Sequence, residues 1–313
     1  MKKTGILEFF YSVSRELLRR RYGKDPLKIP SKVISIGSVQ AGGAGKTPIS
    51  ILLSKYLLSK RHNVGIVLLG YGGKRNWDNK IFSPGQALNV EEVGDEAALV
   101  KKELPEAIVA IGKNKNLLCK DLSRNGCDVI LIEDGYQWSS IKVDLNIVVI
   151  SKNKPSIPFP QGLLREWGSS YCRADCLLAM PDSDYSEINR WSPSIRRFEV
   201  VLNKNSWLDE SWEPTEPPRG RLPVAAGIGN SKVLENDLKK EGIDCFDLNV
   251  PDHAISKKWK NFVIKNARSY GGVILTKKDA VRWGLKGFPC WIRVRELEIP
   301  KDFINFLDKV LDA

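Results

Sequence analysis

Histidine is nearly absent from this 313-residue chain, which has only His62 and His253, and its six cysteines are scattered. Only Cys172 and Cys176 lie close together, and neither histidine stands beside them, so the spacing argues against a zinc site. The thiols read as reduced and mostly buried. No apolar run reaches about 18 residues, which excludes a spanning helix. The apolar stretch near the N-terminus lacks a small-residue cleavage site, so it does not read as a secretory signal. Fixed-period repeats and low-complexity tracts are also missing. These absences leave a globular protein of up to two domains, expected in the cytosol or on a membrane facing it.

Acidic residues are in short supply: 37 against 49 basic ones, a net charge of +12. Half of that excess falls within the first 32 residues. There Lys2, Lys3, Arg15, Arg19, Arg20, Arg21, Lys24, Lys28 and Lys32 face only Glu8, Glu16 and Asp25. Such asymmetry implies an anionic partner. Thr4 to Tyr22 has helical periodicity in Ile6, Phe10, Val13 and Leu17, flanked by Leu7, Tyr11 and Leu18 and closed by Arg19–Arg21. A wide apolar, aromatic face with terminal arginines suits a helix lying in a membrane interface. The competing reading is a helix packed on the domain. Nucleic acid is disfavoured as the partner, because the rest of the chain carries no nucleic-acid module.

Beyond this segment strands and helices alternate. Apolar strands are predicted at 33–36, 64–69, 107–111, 129–132, 145–150 and 176–180, with helices over 46–60, 96–103 and 114–125. Continuous apolar strands separated by helices predict an α/β fold: a parallel sheet covered on both faces. Prolines 214, 217 and 218 punctuate a joint near 182–221, in which 196–202 reads as an extended connector. A second, smaller α/β unit comes next, with strands at 222–226, 244–248, 273–276 and 290–294 and helices near 232–241, 256–269 and 301–311. Residues 1–200 are thus expected to form one domain, and 201–313 a smaller one that closes a cleft.

Between the first strand and its helix stands Gly42-Gly43-Ala44-Gly45-Lys46-Thr47. A glycine-rich turn opening a helix is the context of a P-loop. Its amides cradle phosphate oxygens, and the helix N-terminus faces the same anion. Lys46 reaches the β- and γ-phosphates of ATP, and the Thr47 hydroxyl ligates magnesium. Gln40 stands where the usual pattern has glycine, with flexibility supplied by Gly42 and Gly43. Pro48, just inside the helix, costs little there.

Phosphoryl transfer needs acids as well. Val129–Ile132 with Glu133-Asp134-Gly135 after it has the form of a buried strand ending in carboxylates, so Glu133 or Asp134 is the expected metal ligand. Asp95, in Val93-Gly94-Asp95-Glu96, is either a helix cap or a catalytic carboxylate. His253, in Pro251-Asp252-His253, is either structural or catalytic.

Together these segments resemble the tetraacyldisaccharide 4'-kinases, the lipid A 4'-kinase family. The resemblance runs in order through residues 37–48, 70–74, 93–96, 134–137, 162–166, 226–230, 251–253 and 275–281. It implies two α/β/α domains around a cleft and transfer of the γ-phosphoryl of ATP to the 4'-hydroxyl of a tetraacylated glucosamine disaccharide 1-phosphate. It implies an enzyme peripheral to the cytoplasmic face of the inner membrane, held to the anionic surface by the N-terminal helix; separately, the chain is expected to be a monomer. It also implies that Asp95 and His253 act as a pair on the nucleophile, with Lys46 at the phosphates.

The sequence departs from the family pattern at Glu133, Leu69, Trp138, Ser38, Gln40, Ala254 and the lysines 113 and 115. These changes bear on the acceptor side more than on the nucleotide chemistry. The competing reading is a P-loop GTPase or metallochaperone acting on a protein. Against it, Asn114-Lys115-Asn116-Leu117 lacks the aspartate that reads guanine, and no Cys/His cluster is evident. The basic, aromatic segment carries its own test. Deletion of residues 1–21 is expected to weaken sedimentation with anionic vesicles, and unchanged sedimentation rejects the interfacial helix.

Overall fold

The computed structural model describes the chain apart from residues 1–12, 15, 18, 20, 22, 42, 71–72, 74–78, 152–161, 163, 182, 228–230, 253 and 286. Gly42, His253 and most of the N-terminal segment therefore lie outside the described residues. Of that segment, Val13, Ser14, Glu16, Leu17, Arg19 and Arg21 are helical, and Val13 and Leu17 are solvent-exposed. Among the described residues, no helix is long and apolar enough to cross a membrane.

Two sheets organise the rest. The larger has eight strands in the order β3-β4-β2-β5-β1-β6-β7-β8. These are β1 (Lys32–Gly37), β2 (Val64–Leu68), β3 (Lys80–Phe82), β4 (Ile108–Ile111), β5 (Val129–Glu133), β6 (Leu145–Ile150), β7 (Cys176–Ala179) and β8 (Arg196–Glu199). All pairings are parallel except β3 with β4. Strands β2 and β5 are buried along their whole length, which explains their unbroken apolar sequence. Helices α1 (Lys46–Ser59), α2 (Val90–Val93), α3 (Asp95–Glu103), α4 (Lys115–Arg124) and α5 (Ser186–Trp191) belong to this unit.

The smaller sheet runs β11-β10-β12-β13-β9. Its strands are β9 (Val201–Leu208), β10 (Leu222–Ala225), β11 (Cys245–Asp247), β12 (Val273–Thr276) and β13 (Cys290–Glu298), with β9 antiparallel at the edge. It carries α6 (Ser231–Lys240), α7 (Lys257–Tyr270) and α8 (Lys277–Trp283). Only Val200 separates β8 from β9, so the chain leaves one sheet and enters the other within a single residue. The stretch expected as a connector is thus two strands. Polar Asn203, Lys204 and Asn205 on the exposed edge strand hide the apolar alternation that would announce it. Short α8, also unannounced by periodicity, starts at Thr276, whose hydroxyl caps the helix by accepting from the Asp279 amide.

The last helix, α9 (Lys301–Asp312), comes after the smaller unit in sequence but packs on the larger. Phe303 and Leu307 are fully buried in the same core as Ile34, Leu53, Leu57 and Phe198. The Phe303 ring meets Phe198 edge-on with centroids 5.1 Å apart, and Tyr56 of α1 donates to Asp308 at 2.7 Å. The smaller unit is therefore attached to the larger at both of its ends. Phe303→Ala is expected to destabilise the larger unit by about 3–5 kcal/mol, read from denaturant unfolding. A change confined to a few tenths of that would show that the helix is not part of this core.

Candidate active site

Strand order places the phosphate loop beside the acidic strand. β1 and β5 are parallel neighbours, with Ile36 paired to Glu133, so the loop leaving β1 meets the acids that end β5. Helix α1 begins after Gly45, whose φ of 85° is left-handed and whose missing side chain leaves room for Met180. This turn presents Lys46 and Thr47 to the end of β5. The Thr47 hydroxyl donates to Glu133 Oε1 at 2.6 Å, and Lys46 Nζ stands 3.4 Å from Asp134 Oδ1. Four residues singled out by sequence thus converge, together with the described loop residues Gly43, Ala44 and Gly45.

The two acids are not equivalent. Burial, reinforced by the nearby Glu96 charge, pushes the Glu133 carboxyl up to about 7, against the opposing pull of Thr47 and Lys46. Its Oε2 is buried and lacks a hydrogen-bond partner among the described residues. Asp134 is also opposed by burial, but Lys46 and Arg165 outweigh that cost and hold it down at about 2. Arg165 Nη1 donates to Asp134 Oδ2 at 2.5 Å. The Asp134 backbone is left-handed, with φ 54°. Lys115 braces this turn from beneath, donating to the Glu133 carbonyl at 2.9 Å and the Asp134 carbonyl at 2.8 Å. Burial lowers its pKa to about 8.

Sequence assigns no role to Arg165 or Lys115. Arg165 is visible there only as part of the 162–166 segment; its amide donates to the Val39 carbonyl at 2.8 Å. The Asn114–Leu117 segment has structural partners in place of a guanine-reading role. Asn114 caps α4, and Asn116 accepts from Trp138 Nε1 at 2.8 Å.

Asp95 lies apart from these residues, on α3, against Arg282 of α8. Gly94 occupies the N-cap and Asp95 opens α3. Its carboxylate is fully buried, with Arg282 Nε at 2.9 Å and Nη2 at 2.5 Å from Oδ2. Lys278 Nζ lies 3.6 Å from Oδ1 and 3.2 Å from Glu96 Oε1. Glu96, which perturbs Glu133, therefore links the two halves of the site. His253 is outside the described residues. Of its neighbours, Asp252 stands 3.8 Å from Arg282, and the Ala254 carbonyl accepts from Trp283 Nε1 at 3.1 Å.

A family model described as Tetraacyldisaccharide-1-P 4'-kinase matches residues 5–312. The chain belongs to that family. Among its relatives is the tetraacyldisaccharide 4'-kinase of Chlamydia trachomatis, 29% identical over 85% of this chain and 76% of that protein. The enzyme of the same name from Geobacter metallireducens is 28% identical over 98% and 97%. A crystal structure of LpxK from Aquifex aeolicus in complex with ATP superposes with a TM-score of 0.75, covering 97% of each chain at 22% identity. It shares the fold, as the doubly covered parallel sheet requires. The tetraacyldisaccharide 4'-kinases are kinases, and in this member Lys46, Thr47, Glu133 and Asp134 lie together.

The raised Glu133 pKa has a consequence for stability. A carboxyl whose folded pKa exceeds its unfolded value supports folding fully below the usual carboxylate range, and that support is lost as pH rises through about 7. Glu133→Gln keeps an acceptor for Thr47 without the buried charge. With a chelator and no nucleotide, the variant is expected to gain in melting temperature relative to the parent as pH rises from about 4.5 to about 8. A difference that stays flat with pH would contradict the burial argument.

Proposed function

We propose that this chain performs the reaction for which its family is named, transferring the γ-phosphoryl of ATP to the 4'-hydroxyl of an acylated glucosamine disaccharide 1-phosphate. The Thr47–Glu133 contact across the β1/β5 seam carries the reading, because it joins the phosphate loop to the acid that phosphoryl transfer requires.

The loop amides and Lys46 hold the phosphates. Magnesium fits the donor set: a hydroxyl and two carboxylates are hard oxygen ligands, and Glu133 Oε2 is a buried oxygen that lacks a partner among the described residues. Thr47, Glu133 and Asp134 would hold the ion. Of the two acids, Glu133 already shares its oxygen with Thr47, whereas Asp134 answers to Lys46 and Arg165. Magnesium, when bound, neutralises charge that develops on the phosphate oxygens. Asp95 receives or directs the hydroxyl proton, and His253 assists it. A loose transition state asks for positioning more than for a strong base. The seam between α3 and α8 is where the smaller unit excludes water from the transfer.

The enzyme is proposed to work at the cytoplasmic face of the inner membrane, docked through its N-terminal helix, where an acylated substrate resides. Incubation with labelled ATP and the tetraacylated disaccharide 1-phosphate is expected to give labelled glycolipid. Lys46→Ala is expected to abolish transfer, and Asp95→Asn to slow it by about 10²–10⁴-fold while ATP still binds. ATP hydrolysis without lipid labelling would reject the acceptor, and full activity of Asp95→Asn would reject the role of Asp95.

A further inference from the structure

Gly227 and Asp279, from two of the segments that carry the family resemblance, converge on one side chain. Arg282 is fully buried and spans the two units. Toward the larger unit its Nε and Nη2 both reach Asp95 Oδ2. Within the smaller unit its Nη1 donates to Asp279 Oδ1 at 2.6 Å, and its Nη2 donates to the Gly227 carbonyl at 3.0 Å. Asp279 is itself fixed, accepting from the Gly227 amide at 3.1 Å and from the Thr276 hydroxyl at 2.6 Å. A methyl group at Gly227 would fall 1.9 Å from Arg282 Nη1, so glycine is the residue that lets the guanidinium lie in this place.

The guanidinium thus has little freedom to move, being held by a carboxylate and a carbonyl of its own unit. A planar fork with fixed donors orients a carboxylate in a way that a lysine point charge cannot. Both contacts go to Oδ2. The other oxygen, Oδ1, faces Lys278, whose ion pair is longer and whose side chain is partly exposed.

We propose that Arg282 is a positioning residue of the transfer reaction, anchoring Asp95 through Oδ2 and so fixing the orientation of the carboxylate that acts on the acceptor hydroxyl. The base then belongs to neither unit alone. α3 supplies the carboxylate, and α8 supplies the geometry that makes it useful. Two flanking pairs keep the helices in register: Lys277 with Glu103 at 2.5 Å and Lys278 with Glu96 at 3.2 Å.

This proposal rests on Asp95 acting on the nucleophile, and the test separates the two ideas. Full-length parent, Arg282→Lys, Asp95→Asn and the double variant are compared with labelled ATP and the tetraacylated disaccharide 1-phosphate, with melting temperatures and ATP Kd measured alongside. Arg282→Lys keeps the charge and loses the fork. It is expected to lower kcat by about 100-fold, the cost of a displacement of about 1 Å, with ATP Kd unchanged. In the Asp95→Asn background the same change is expected to add little, since residues that act as a unit are not additive. A parent-like kcat for Arg282→Lys, or an equal fold-loss in both backgrounds, overturns the proposal. A parent-like kcat for Asp95→Asn removes the underlying reading instead. Should Arg282→Lys fail to fold, Asp279→Asn loosens the same guanidinium from its own unit and is judged by the same two criteria.

Discussion

Everything in the larger unit that bears on chemistry depends on one lateral pairing, that of β1 with β5. Parallel strands bring their C-terminal ends to the same edge, and the register sets Ile36 opposite Glu133. From that single constraint the loop after β1 and the acids ending β5 become neighbours, and the Thr47 hydroxyl reaches a carboxylate 86 positions away. The remainder of the site is maintenance of this juncture. Lys115 ties down the carbonyls of the acidic turn, Arg165 takes one side of Asp134, and the Arg165 amide is bonded to the Val39 carbonyl just past β1. Maintenance of this kind explains why so many charged side chains surround so few reacting atoms. Each buried acid is costly without a partner, and each partner must itself be held.

Charge is distributed unevenly across the juncture, with functional consequences. Glu133 resists ionisation, whereas Asp134 stays ionised between two cations. One strand end therefore offers both a reluctant acid, ready to be recruited by a cation, and a permanent anion that orders Lys46. Glu96, on α3, raises the Glu133 pKa and faces Lys278, so the electrostatics of Glu133 and of Asp95 are not independent.

Legibility in the sequence depends on which features leave a local trace. Buried parallel strands are written as apolar runs, so β1, β2, β5 and β6 are legible. A glycine loop before a helix and carboxylates after a strand are local patterns too, which is why Lys46, Thr47, Glu133 and Asp134 can be chosen from sequence. Edge strand β9 is not legible, because its solvent-facing Asn203, Lys204 and Asn205 break the alternation. Seven-residue α8 is too short for a helical period to show. The Asp95–Arg282 pair leaves no trace at all: its partners are 187 positions apart, and a buried ion pair has no compositional signature. Sequence can name Asp95 but not say what holds it.

The return of α9 to the larger sheet changes how this protein comes into being. A nascent chain emerges from its N-terminus, and the β1–β8 layer is complete in sequence after about two thirds of the length has been made. Yet the hydrophobic face that receives Phe303 and Leu307 stays open until α9, which follows the smaller unit in sequence, is free of the ribosome. The nucleotide-binding unit cannot seal its own core ahead of its partner. A chain that stops before α9 leaves an uncovered greasy seam on the larger sheet.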